Sequence, residues 1–95
     1  MRTIEKMMVS AVAAGRPFQS SNTRVYVLFN RYLYVSLWDN NIYCKDLKTG
    51  AVSYSCAGWH TVTTASRLRA LGLDCHIKNG RIYDAAGVVV PSSLA

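Results

Sequence analysis

The sequence predicts an α+β domain with an N-terminal helix, a four-stranded antiparallel meander, a short second helix and a C-terminal β-hairpin. Three observations carry this. Apolar residues first recur at helical spacing, the spacing then switches to a period of two from Thr23 onward, and turn signals cut the later part into short segments. No linker, internal repeat or low-complexity stretch divides the 95 residues, so they form one domain. A core of that size is modest, and self-association is one way to enlarge it.

Ile4, Met7, Met8, Ala11 and Val12 fall at i, i+3, i+4, i+7 and i+8, which predicts an amphipathic helix that stops at Gly15 with Pro17 just beyond. Gln19-Ser20-Ser21-Asn22 reads as a loop. Val25, Val27 and Phe29, then Leu33, Val35 and Leu37, alternate as the core-facing sides of two strands broken at Asn30-Arg31. A second break at Asp39-Asn40-Asn41 leads to strands over Ile42–Leu47 and Ala51–Cys56, joined at Lys48-Thr49-Gly50. Thr63 and Thr64 are N-cap residues for a helix of about two turns that runs to Leu71 with Gly72 as its terminator. Asn79-Gly80 then joins Leu73–Lys78 to Arg81–Tyr83 as a tight hairpin, and the Val88–Val90 run ends at Pro91.

Composition bounds the function without naming it. Hydrophobic residues make up 51% of the chain and charged residues 17%, a globular rather than a disordered balance. Eleven Lys and Arg against five Asp and Glu give a net charge of +6, which favours phosphate-rich or acidic partners. Cys44, Cys56 and Cys75 are odd in number and lack CxxC spacing, so free thiols in a reducing compartment are expected. The apolar run Met7–Ala14 is short and crowded by Glu5 and Lys6, which fits a helix better than a leader. Nothing approaches the roughly 18 to 20 apolar residues that span a bilayer, so no membrane role is expected.

Two constellations could carry binding chemistry. If the Val and Leu positions face the core, Tyr26, Tyr32, Tyr34 and Trp38 point the other way, and Arg24 and Arg31 interleave with them. Such a face could hold unpaired bases by stacking and charge, or it could pack under the second helix, the hairpin or a second subunit. Separately, Thr61, Thr63, Thr64, Ser66 and Arg67 cluster at a helix N-terminus, where an anion could sit; the alternative is that the hydroxyls only cap the helix. Cys44 and Cys56 flank the Lys48–Gly50 turn with His60 and His76 possible neighbours, but metal-ligand spacing is missing. No nucleophile elbow and no triad can be singled out, so neither an enzyme nor a metal or cofactor is expected.

The segments Asn22-Thr23-Arg24-Val25, Val35–Ile42 and above all Gly58-Trp59-His60-Thr61-Val62-Thr63-Thr64-Ala65-Ser66-Arg67-Leu68 come in an order that resembles a family of small tailed-phage and prophage proteins. That family has an Asn-Thr-x-Val strand, a Leu-x-Gly-Asn-x-Ile hairpin and a Gly-Trp-x-Thr-x-Thr-Thr-x-x-Arg-Leu segment before a closing hairpin. Here Asp39 replaces the hairpin glycine, Arg69 follows Arg67-Leu68 where the family has Asn, and the chain from Val88 onward has no counterpart. The resemblance implies a phage-encoded accessory protein of the host cytoplasm and carries over no catalytic residue. The function expected is binding of a host macromolecule, foremost a host or defence protein; the alternative is single-stranded nucleic-acid binding on the aromatic and basic face.

Overall fold

The computed structural model describes residues 1–94. Helix α1 spans Thr3–Ala14, and five strands follow in order across one antiparallel sheet: β1 Phe18–Ser20, β2 Thr23–Leu28, β3 Tyr32–Leu37, β4 Asn40–Asp46 and β5 Val52–Tyr54. Helix α2 spans Val62–Ala70, and β6 Cys75–Lys78 pairs with β7 Arg81–Asp84 as a separate hairpin. This is the α+β architecture the sequence predicts, with one additional strand at the start of the meander.

The additional strand, β1, lies where a loop was expected. Its three residues are too few to show a period, and Ser20-Ser21-Asn22 is turn-like in composition. The pairing is nonetheless regular: Phe18 stands opposite Val25 and Ser20 opposite Thr23, with Ser21 supplying a positive φ of 53° for the tight reversal. The Val88–Val90 run forms no strand; Val89 makes a single bridge to Tyr83.

Core residues come from every layer. Met8 and Ala11 of α1, Val25, Leu33, Val35, Leu37, Ile42 and Tyr43 of the sheet, Ala65 and Leu68 of α2, and Cys75 and Ile82 of the hairpin pack as one cluster. A bulge where β3 meets β4 lets Tyr43 oppose Val35 and Asn41 oppose Ser36, so the extra residue Ile42 is buried beside Tyr43. Both helices contact the core rather than the opposite sheet face: α1 lies on β1 and β2 and touches α2, which packs on β6.

Four expectations need correction. Met7 is half-exposed while Glu5 is buried, so the inward stripe of α1 is rotated toward Glu5, Met8 and Ala11. Phe29 is not a core residue: it sits at φ 56° in the β2–β3 turn, 88% exposed. Trp38 is likewise a turn residue, at φ 49° with Asp39 at 63°, because Leu37 pairs with Asn40 across a two-residue loop. The cap of α2 is Thr61, whose hydroxyl accepts the Thr64 N–H at 3.1 Å, two residues before the expected start.

Gly72 does end α2. At φ 106° it allows Leu73 N–H to reach Leu68 O and its own N–H to reach Arg69 O, which satisfies the last carbonyls. The buried and exposed positions give a direct check. In urea titrations Phe29→Ser should leave the free energy of unfolding within about 0.5 kcal/mol of the native chain, whereas Leu33→Ala should cost about 2–5 kcal/mol.

Candidate functional site

The outer sheet face assembles five of the six residues proposed for it. Tyr26 stands opposite Tyr34, Arg24 opposite Ser36 and Tyr32 opposite Asp46, each alternating with buried Val25, Leu33 and Val35. The Tyr26 and Tyr34 rings stack with centroids 5.3 Å apart, Arg24 lies 4.7 Å over Tyr26, and Arg31 reaches from the turn to 5.1 Å over Tyr32. Much of this chemistry is already engaged. Tyr26 donates to Asn41 Oδ1 at 2.8 Å, and Arg31 pairs with Asp46 at 3.0 Å. The Arg31 bond draws the Asp46 carboxyl down to about 2, and burial with neighbouring Cys44 pushes the Tyr34 phenol up.

Trp38 belongs elsewhere. From its turn it meets Trp59 with centroids 6.2 Å apart, tilted at 54°, and the two indoles are 45% and 51% exposed. Val62, 61% exposed, opens the helix that follows Trp59. The sequence marks Trp59 only as part of the Gly58–Leu68 segment. Its meeting with Trp38 depends on a turn register one residue earlier than the Asp39-Asn40-Asn41 break suggests.

The hydroxyl set at α2 turns inward instead of framing an open anion site. Thr61 caps the helix and shares a 2.9 Å contact with the Thr64 hydroxyl, while Thr63 is half-buried. Ser66 donates to Glu5 Oε2 at 2.6 Å, and Arg67, only 3% exposed, donates to the same oxygen at 2.8 Å. Arg67 also donates to Thr23 Oγ1 at 3.1 Å and to Asn22 Oδ1 at 3.4 Å. Its charge is therefore matched by a carboxylate of the chain itself, and the anion expected beside Arg67 is Glu5. No local pattern reveals this, since Glu5 and Arg67 lie 62 residues apart.

Burial pushes the Glu5 carboxyl up, but the bonds from Ser66, Arg67 and the Arg2 N–H, with the Arg67 charge, outweigh it and leave the group below its ordinary value. The cysteines also separate: Cys44 stands opposite Ser53, not Cys56, and all three thiols are free. His60 Nδ1 accepts the Ile82 N–H at 3.0 Å, so a neutral ring carries its proton on Nε2, which faces Cys56 Sγ at 3.7 Å. In that tautomer the nitrogen beside the sulfur is a donor and cannot take a thiol proton. Among the described residues no three His, Cys, Asp or Glu side chains converge on a metal site.

The chain is a phage protein. It belongs to the Kyanoviridae Gp96 protein family, whose model matches residues 1–91. No curated protein and no solved structure matches it. Among the described residues no helix is long and apolar enough to cross a membrane.

The Glu5–Arg67 pair generates two measurable outcomes. Arg67→Met should cost about 3–5 kcal/mol by leaving a buried carboxylate unpaired, and joining it to Glu5→Leu should recover most of that loss. Because the folded carboxyl lies below its ordinary value of 4.5, its contribution is full above that pH and is lost as pH falls through the folded value. Urea unfolding between about pH 6 and 3 should thus show a shallower acid loss for Glu5→Gln than for the native chain.

Proposed function

We propose that this phage protein is a non-enzymatic accessory factor that binds a host macromolecule in the host cytoplasm during infection. The partner is a host or defence protein, and the contact is the Trp38–Trp59 end of the molecule. The observation that carries this is the exposure of two indoles side by side, one of them held in a left-handed turn conformation. A bulky aromatic residue there costs on the order of 1–3 kcal/mol and half-open indoles are not explained by the core, whereas Trp is the residue most enriched where binding energy concentrates.

Single-stranded nucleic-acid binding on the outer sheet face is the rival. The Tyr26 hydroxyl is committed to Asn41 and the Arg31 charge is matched by Asp46, so fewer of that face's polar groups are free for a base or a phosphate. Affinity capture from infected cells separates the two. Tagged native protein should retain one host protein in stoichiometric amount, Tyr34→Ala should retain it equally, and Trp59→Ala should lose it by about tenfold or more. Recovery of nucleic acid alone, abolished by Tyr34→Ala and untouched by Trp59→Ala, would replace this proposal with its rival.

A further inference from the structure

The β6–β7 hairpin stands on its own edge of the molecule, and its two faces differ sharply. Cys75, Ile77 and Ile82 turn inward to the core cluster. The alternate residues are His76 opposite Tyr83 and Lys78 opposite Arg81, and all four share the outward face. The His76 and Tyr83 rings stack with centroids 6.0 Å apart at 26°. Lys78 and Arg81 are both exposed, and among the described residues the ion pairs are Arg31–Asp46 and Arg67–Glu5, so neither hairpin cation has an acidic partner. Asp84 does not help, because its carboxylate accepts the Ala86 and Val88 N–H groups at 2.9 and 3.0 Å in the loop beyond.

Like charges directly opposite each other weaken an antiparallel pair, so the fold gains nothing from placing Lys78 against Arg81. A polyanion removes that penalty. On the Lys78 side is an open hollow of about 330 Å³ lined by His76, Lys78, Asn79, Tyr83 and Gly87. That volume is at the lower end of the range for small-ligand sites. The Asn79-Gly80 turn, at φ 52° and 74°, holds the two strands in fixed register and so fixes the spacing of charge and ring.

We infer that the outward face of the β6–β7 hairpin binds single-stranded nucleic acid, with Lys78 and Arg81 on the phosphates and the His76–Tyr83 pair beneath a base. Stacking requires a base whose face is free, which a single strand offers and a duplex does not. An acidic peptide would use the cations and leave the rings idle. The site is remote in sequence from Trp38 and Trp59 and shares no residue with the outer sheet face, so it stands whether or not a host protein docks on the indoles.

Fluorescence anisotropy with a labelled oligothymidylate of about 15 nucleotides tests the assignment. The native chain should bind it, more weakly as salt rises from about 50 to 200 mM, and more tightly than a duplex of equal length. Lys78→Ala joined to Arg81→Ala should weaken binding at least about tenfold and flatten the log–log salt slope by about 1.4, the value for two phosphate contacts on a single strand. Arg81→Glu should abolish binding while leaving the melting temperature equal or higher, since Lys78 then gains an opposite charge, and this separates lost contact from lost fold. Native-like binding by Arg81→Glu, equal affinity for the duplex, competition by polyglutamate as strong as by oligothymidylate, or a loss confined to Tyr34→Ala would each overturn it.

Discussion

The buried ion pair between Glu5 and Arg67 is the constraint on which the arrangement of this protein depends. It joins the first turn of α1 to the middle of α2, and through Thr23 and Asn22 it also holds the β1–β2 turn. The Asn22 carbonyl in turn accepts the Trp38 N–H at 2.9 Å, so the same network reaches the β3–β4 turn. Two desolvated charges are expensive, and such a pair is tolerable only when its remaining donors and acceptors are met. Here they are: among the described residues no buried side-chain nitrogen or oxygen lacks a partner. An apolar contact of equal volume could hold the two helices together, but it would lack the directional bonds by which one guanidinium ties α2 at once to Glu5 of α1 and to Thr23 and Asn22.

That placement decides what remains exposed. With both helices drawn to the core side, Tyr26 on the outer face bonds to Asn41 and stacks on Tyr34 within the sheet itself, and the far side of the β6–β7 hairpin faces outward. Each ion pair removes one positive and one negative charge from play, so the excess of six positive charges survives both pairings and belongs to residues such as Arg24, Lys78 and Arg81. Basic character is therefore a property of particular surfaces. Arg67, which looks in sequence like part of it, is internal.

Local rules made much of the fold legible in the sequence. The i, i+3, i+4 stripe and Gly15 mark α1, the period of two marks β2 and β3, and Asn79-Gly80 marks the last hairpin within a residue or two. The departures at the turns share a physical cause. Phe29, Trp38 and Ser21 adopt positive φ without being Gly, so the turns that set strand register do not announce themselves, and a shift of one residue moves Trp38 from a sheet face to a loop tip. Glu5 was invisible for a different reason. A charged residue reads as solvent-facing until its partner is known, and Arg67 comes from the other end of the chain. Alternation alone decides which side of a strand Tyr26, Tyr32 and Tyr34 take, whereas the hydroxyls before α2 could cap or bind a ligand with the same groups, and Thr61 caps.

Of the residues in unfavoured turn conformations, Ala57 packs against the core cluster, whereas Trp38 and Phe29 lie at exposed positions. A hairpin turn whose first two residues both have positive φ favours Asn, Asp or Gly there, yet the two-residue β3–β4 turn opens with Trp38 and the three-residue β2–β3 turn with Phe29. At the third such turn Asn79-Gly80 conforms, and the departure is instead the facing pair Lys78 and Arg81. Strain confined to a buried position could be repaid by packing. Phe29 is 88% exposed, and Trp38, 45% exposed, has Trp59 as its aromatic neighbour, so burial returns little at Phe29 and only part of what it could at Trp38. The exposed departures thus stand apart from one another, at the Trp38–Trp59 pair, at Phe29 and on the Lys78–Arg81 ribbon.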